Sequence, residues 1–102
     1  NANADGPVVT LDFRPEFILI KKSSGTSGWM ILDATRDTYN VAKKFLEPNN
    51  ANAEGATADR IDILSNGFKV RAPSGYTPNE SSGNTYVYAA WASTPFKYAR
   101  AR

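Results

Sequence analysis

The chain has 102 residues, of which 41% are hydrophobic and 22% are charged. This length suits a single domain spanning residues 1–102, and the composition is that of a folded globular protein, which excludes a disordered chain. The net charge is only +2 and no apolar run approaches the roughly 20 residues of a membrane span, so we expect neither a nucleic-acid partner nor membrane insertion.

Histidine and cysteine are both absent. A serine nucleophile normally needs a histidine base, and zinc prefers histidine and cysteine ligands. Asp33 and Asp37 would match the spacing of a glycosidase's two carboxylates only by coincidence. The acidic residues that could offer oxygen ligands to calcium match no calcium-binding loop in their spacing; they are Asp33, Asp37, Glu47, Glu54, Asp59 and Asp62. We therefore predict a protein that is not an enzyme and binds no metal or cofactor.

The first third of the chain has the period of β-strands. Residues Val8–Phe13 alternate between apolar and polar, which predicts a short strand. Pro15 cannot donate a ladder hydrogen bond and marks the start of the next strand, whose apolar segment Phe17–Ile20 predicts a central strand covered on both faces. The polar turn Ser23–Gly28 and the strand Trp29–Asp33 complete a predicted hairpin.

The middle of the chain is less regular. Residues Ala34–Asn40 are polar and predict a loop. Val41–Leu46 fits a short strand or one weak helical turn, and we favour the strand because Pro48 follows so closely. Residues 49–58 are polar and small, which is typical of an exposed loop.

A second hairpin is indicated around Asn66-Gly67, the dipeptide most typical of a tight two-residue turn. Ile61–Leu64 precedes it as a strand. Phe68 and Val70 follow it on one face of the returning strand, and we expect Phe68 to be buried in the core.

The last strand is predicted at Tyr86–Trp91, after a long loop at Ala72–Asn84. Tyr86, Tyr88 and Ala90 fall on one face of this strand and Val87, Ala89 and Trp91 on the other, and we expect Trp91 to lie in the core. Pro95 ends the strand, and a basic tail follows it. Short strands separated by turns, with no convincing helix, predict an all-β, antiparallel β-sandwich, jelly-roll-like, of six to eight short strands with long polar loops.

Tyrosine and tryptophan are the main binding signal in the sequence. These side chains combine an apolar body with a polar tip, which suits protein interfaces and sugar rings. Tyr39 and Tyr76 lie in polar loops and are expected to be exposed. Trp29 starts a strand beside a flexible turn, so both a core position and a binding role are open for it.

Three blocks of sequence resemble a family of bacteriophage tail-fibre and appendage β-domains. The first block is FRPEFILIKKSSGTSGWMILDATRD, the second is LSNGFKVR, and the third is GNTYVYAAWASTPFKYARAR; together they span residues 13–102 in order. The positions that match the recurrent pattern of the first block are Phe13, Pro15, Phe17, Ile20, Lys21, Trp29, Asp33, Arg36 and Asp37.

The resemblance implies a structural protein of the virion, usually the C-terminal module of a longer chain in a tail fibre or similar appendage. It also implies a homo-oligomer, with a trimer favoured, beside other virion proteins and in contact with a glycan or receptor on the host surface. An alternative is a purely structural module such as a head decoration, head fibre, trimerisation clamp or adaptor, in which the aromatic residues are buried between chains. A second alternative is a small hydrolase or an assembly chaperone.

Loops on a rigid sandwich are the expected place for host contact, because they can vary without unfolding the domain. The loops in question are Ser23–Gly28, Ala34–Asn40 and Tyr76–Asn84. Arg36, set between two aspartates, could instead pin its own loop by paired hydrogen bonds. The candidate binding residues are Trp29, Asp33, Arg36, Asp37, Tyr39 and Tyr76.

Overall fold

The computed structural model describes residues 3–93. Pro95 and the basic tail therefore lie outside the described residues. Within residues 3–93 the regular structure is entirely β, with no helix, and none of it could serve as a membrane-spanning helix. The strands are β1 (Val8–Thr10), β2 (Pro15–Lys22), β3 (Trp29–Asp33), β4 (Ile61–Leu64), β5 (Gly67–Val70) and β6 (Tyr86–Ala92).

The six strands form two antiparallel sheets of three strands each. Sheet A has the order β1-β5-β4, and sheet B has the order β3-β2-β6. One hydrophobic core joins the sheets: Ile18 and Leu32 of sheet B are fully buried, as is Ile61 of sheet A. Phe68, expected in the core, is only 2% exposed. This arrangement confirms the all-β fold class and is that of a small β-sandwich.

The two sides of the sandwich differ. On one side, the backbone of Ala42 exchanges hydrogen bonds with Ile61 of β4, and Leu46 does so with Ile31 of β3. The segment 42–46 thus ties sheet A to sheet B, although it forms only isolated bridges and not the predicted strand. On the other side, the outer strands β1 and β6 are not joined by any such bridge among the described residues.

The other strand predictions hold, with two shifts. β1 covers only Val8–Thr10, because Asp12 takes a positive φ of 62° and breaks the extended run. The second hairpin is present, but its two turn residues are Ser65 and Asn66, since Leu64 pairs with Gly67.

Gly67 is the first residue of β5. A Cβ atom at that position would lie 1.9 Å from the carbonyl oxygen of Val9. The glycine therefore allows β1 to approach β5 closely, and its φ of +155° is one that residues with a side chain rarely adopt.

The outer face of sheet B differs from the prediction. β2 is central in its sheet, as expected, but outward-facing Phe17 and Leu19 are only half-buried, so residues 3–93 do not cover both of its faces. The expectation that Trp91 lies in the core is wrong: its ring is 50% exposed and packs edge-on against Phe17, with 5.2 Å between ring centroids. The two faces of β6 were assigned correctly, and the face with Tyr86 and Tyr88 is the one turned to the core.

Candidate functional site

A cleft of about 240 Å³ opens between the sheets on the side that residues 42–46 do not close. Its position follows from the topology, because the edge strands β1 and β6 stand apart there. The floor is apolar and comes from core side chains of both sheets. The lining residues are Pro7, Val9, Ile20, Phe68, Val70, Pro78, Asn79, Ser81, Asn84, Tyr86 and Tyr88.

Two tyrosines of β6 form one wall of the cleft. Tyr86 pairs with Lys22 and Tyr88 with Ile20 across the β2–β6 ladder, and Ile20 is a buried inward-facing residue, so both tyrosines face inward. The Tyr88 ring meets the Phe68 ring edge-on, with 5.4 Å between centroids. Tyr88 is nevertheless 46% exposed. Its side chain is therefore accessible from the mouth of the cleft.

The loop between β5 and β6 forms the rim of the cleft and is fastened through Glu80. Its carboxylate accepts hydrogen bonds from the Ser27 hydroxyl, from Thr77 Oγ1 at 2.6 Å and from Lys22 Nζ at 2.9 Å. The Glu80 backbone N–H also donates to the hydroxyl of Tyr86 at 3.0 Å. Burial acts to raise the pKa of Glu80, but the bonds from Ser27, Thr77 and Lys22 outweigh it and lower the pKa to about 2.

Asn79 fixes the same loop from within. Its side chain is buried, and its Nδ2 donates to the carbonyl oxygens of Ala72, at 2.9 Å, and Asn3, at 2.7 Å. Further along the rim, Asn84 Nδ2 donates to Ser81 Oγ at 2.9 Å. The polar rim is thus held in place before any ligand arrives.

The cleft suits a small uncharged ligand. No charged side chain is among its lining residues, so nothing there would balance an ionised group. The volume of 240 Å³ is equivalent to about eight water molecules of the liquid, which is the scale of one sugar ring or one large side chain. Aromatic and apolar walls beside amide and hydroxyl groups are the surfaces on which such rings stack and form hydrogen bonds.

Asp33 ends β3, and Arg36 and Asp37 lie in the loop that follows it. All three form hydrogen bonds with other groups of the protein. The Asp33 carboxylate accepts bonds from the backbone N–H and the Nε of Arg36, both at 2.6 Å. Arg36 Nη1 also reaches Glu54 at 2.5 Å. The Asp37 carboxylate accepts bonds from the backbone N–H groups of Lys43 and Lys44, at 2.7 and 3.0 Å. Arg36 therefore pins its loop through Asp33 and Glu54, and Asp37 anchors the next segment.

The pKa directions agree with this role. For both Asp33 and Asp37, burial acts to raise the pKa, but hydrogen bonds outweigh it and the net pKa is lowered. The opposing hydrogen bonds come from Arg36 in the first case and from the backbone of Lys43 and Lys44 in the second. Both carboxylates thus keep their charge for structural bonds at neutral pH.

The aromatic candidates are dispersed. Trp29 begins β3 on the outer face of sheet B, beside Leu19 and Pro48 in a shallow depression. Tyr39 is 83% exposed and Tyr76 is 41% exposed, as expected of loop residues. None of the six predicted binding residues lines the cleft.

Tyr76 packs against the buried side chain of Arg60. The guanidinium of Arg60 lies 4.4 Å from the centre of the Phe45 ring and 5.2 Å from that of Tyr76. Arg60 is only 4% exposed, and its Nη1 donates to the Thr77 carbonyl at 2.8 Å. Tyr76 therefore has a packing role in addition to its exposed edge.

The sequence reasoning missed the cleft itself. The sequence places Tyr86 and Tyr88 on one face of β6. The alternation does not show that this face borders a cleft between the two sheets. In residues 3–93 no group of three or more acidic side chains is placed to hold a metal ion.

Comparison with known proteins identifies a family whose function is unknown. A family model described as "Domain of unknown function (DUF7483)" matches residues 1–95. Neither the curated proteins nor the solved structures contain a match to the chain.

Proposed function

Since the chain belongs to the DUF7483 family, whose function is unknown, we propose a function from its residues and geometry. The domain is a structural, non-enzymatic component of a bacteriophage virion, carried on a tail fibre or similar appendage, where it contacts the host surface. The virion location is supported by the three ordered sequence blocks that resemble phage appendage domains. The contact is with a carbohydrate and takes place at the cleft between the sheets.

One observation supports the binding role above the others: Tyr88 is 46% exposed at the mouth of a preformed cleft. A side chain serving only the core would bury its ring. The neighbouring rim presents Ser81 and Asn84, whose polar atoms can exchange hydrogen bonds with sugar hydroxyls.

The absence of charge from the cleft lining supports neutral sugars over acidic ones. Recognition would combine stacking of a sugar ring on Tyr88 with hydrogen bonds from the rim. A single shallow cleft of this size gives weak binding to one sugar unit, and attachment would gain strength from several copies acting together.

A printed array of neutral and acidic oligosaccharides tests the proposal, with the purified chain as the probe. We expect binding to neutral members and at least a tenfold loss of affinity in Tyr88→Ala. Tyr88→Phe keeps the ring packing on Phe68 and should lose less. Tyr39→Ala is the matched control, because Tyr39 is an exposed tyrosine away from the cleft.

Two results would contradict this assignment. One is the absence of binding to any oligosaccharide by a chain whose thermal unfolding shows that it is folded. The other is binding that survives Tyr88→Ala and is lost in Tyr39→Ala, which would move the site to the loop after β3.

The alternative, a purely structural virion module, is favoured by a different observation. The outer face of sheet B exposes Trp29, Val87 and Trp91, at 39%, 51% and 50%. Exposed aromatic groups of this kind are typical of protein interfaces. Under this alternative, the domain binds no oligosaccharide and Trp91→Ala would release it from a neighbouring virion protein.

A further inference from the structure

The four edge strands of the two sheets differ in whether their outer backbone groups are hydrogen-bonded. The edge of β4 is bonded to Ala42 and that of β3 to Leu46, at distances from 2.7 to 3.1 Å. β1 is left at the edge of sheet A, but it is only three residues long and follows Pro7. Short length and a flanking proline are common protections against strand pairing with another chain.

Within residues 3–93, β6 is neither short nor flanked by proline. It runs for seven residues, Tyr86–Ala92, with no charged residue, proline or glycine. Its backbone bonds to β2 on one side, and no backbone group within residues 3–93 bonds to its other side. A long, uncharged edge strand is a template for another strand.

We infer that β6 pairs antiparallel with β6 of a second copy of the chain, joining the two B sheets into one six-stranded sheet. The pairing is argued from the free edge of β6 and does not rest on the proposed sugar contact. Val87 and Ala89 lie on the outer face of the paired strands, and Tyr88 lies on the cleft face.

Two properties of β6 favour a second copy of the chain as its partner: the absence of charge and the match of its side chains. Antiparallel pairing of β6 with itself opposes only neutral residues, so no like charges meet across the two-fold axis. With the axis at Ala89, Val87 faces Trp91 of the second copy on the outer face, and the reverse contact repeats it. Pairs of a β-branched and an aromatic residue across strands are favourable.

The contact is also continuous with the exposed apolar face of sheet B. Trp91 already packs against Phe17 within one copy. Pairing would extend this row across both sheets and reduce the exposure of Trp91 and Val87, each about half-exposed in the single chain. A single strand pair buries less than the roughly 800 Å² per partner of a standard interface, so the dimer should depend on concentration.

Two valines provide a matched test. Val87 and Val8 are each 51% exposed, each lies on an edge strand, and each is paired with a lysine in the neighbouring strand: Lys21 and Lys69, respectively. Val87→Glu and Val8→Glu therefore introduce the same charge beside the same type of partner. Only Val87→Glu places it within the proposed interface.

The measurement is the solution mass by light scattering across a tenfold range of concentration. We expect the wild-type mass to rise toward twice 11.1 kDa, Val8→Glu to behave like the wild type, and Val87→Glu to remain at the mass of one chain. Thermal unfolding of both variants verifies that they are folded. Trp91 fluorescence also reports burial, but Trp29 contributes to the same signal, so mass is the primary readout.

A wild-type mass of one chain at every concentration would overturn the pairing. A mass of three chains would overturn it as well, because self-pairing of one edge strand has two-fold symmetry. Equal loss of mass in Val8→Glu and Val87→Glu would assign the contact to β1 with β6 in place of β6 with itself. Failure of the oligosaccharide array would leave all of these outcomes unaffected.

Discussion

The side-chain nitrogen of Lys22 lies 2.9 Å from the carboxylate oxygen Oε2 of Glu80, and this ion pair joins the end of β2 to the loop that rims the cleft. Both side chains are largely buried, with exposures of 16% and 21%. The two residues are 58 positions apart in sequence, so their contact fixes one end of sheet B against the loop, together with the bonds from Ser27 to Glu80 and from Asn79 to Asn3.

The charge of Glu80 should stabilise the domain at neutral pH. Its pKa is depressed from 4.5 to about 2, so the stabilisation is fully present above about pH 4.5 and is lost as the pH falls through 2. The size of the shift corresponds to at most about 3 kcal/mol. We expect Glu80→Gln to lower the free energy of unfolding at pH 7 by about 2 kcal/mol, and the gap from the wild type to close between pH 4.5 and 2.

Chemical denaturation at pH 7, 4 and 2.5 measures this gap. Asp59→Asn serves as the control, because Asp59 is an exposed carboxylate with no bond of the kind that Glu80 makes; its effect should stay within about 0.5 kcal/mol. If the difference in the free energy of unfolding between the wild type and Glu80→Gln is the same at all three pH values, the charge of Glu80 does not contribute to stability. The difference would then come from the geometry of its hydrogen bonds.

Gly67→Ala should separate β1 from β5. The added methyl group would lie 1.9 Å from the Val9 carbonyl oxygen, a backbone atom that cannot move aside without breaking the ladder. We expect a loss of roughly 2 kcal/mol or more in the free energy of unfolding.

Gly75→Ala is the control for Gly67→Ala. Gly75 has a φ of +91° but open space around its Cβ position, so only backbone strain of about 1 kcal/mol should appear there. Urea unfolding of the two variants gives the comparison, and equal losses would remove the steric role assigned to Gly67.

Asp37→Ala should cost stability and leave oligosaccharide binding unchanged. The substitution removes the acceptor for the backbone N–H groups of Lys43 and Lys44, at an expected cost of about 1–2 kcal/mol. Thr38→Ala, at the exposed neighbouring position, should cost less than about 0.5 kcal/mol. A loss of binding at unchanged stability would instead restore Asp37 as a ligand-contacting residue.

The strands were predictable because alternation is a local property. The unbroken apolar run Phe17–Ile20 predicts a central strand, and in β6 successive side chains point to opposite faces, so the residues on each face are predictable from the sequence. Which face is covered depends on what packs against it. Trp91 was expected to be buried because one of the two faces of this strand must be core, yet its face of sheet B has no covering layer within residues 3–93.

The candidate site was much harder to foresee. Glu80 draws its partners from the hairpin after β2 and from its own loop, 53 and 3 positions away, and no local pattern links them. The acidic residues in the loop after β3 stood out because they form a recurrent motif. Their bonds to backbone groups explain that motif through loop closure, which the spacing had already suggested for Arg36.

Ala42 and Leu46 close one side of the sandwich with backbone hydrogen bonds to both sheets, whereas no backbone bond joins β1 to β6 on the other side within residues 3–93. The spacing of the sheets is therefore fixed by backbone bonds near β3 and β4. Near β1 and β6 it depends on side-chain packing, such as the contact of Phe68 with Tyr88. A substitution that changes the size of a packed side chain should alter the width of the cleft and leave the bonded side in place.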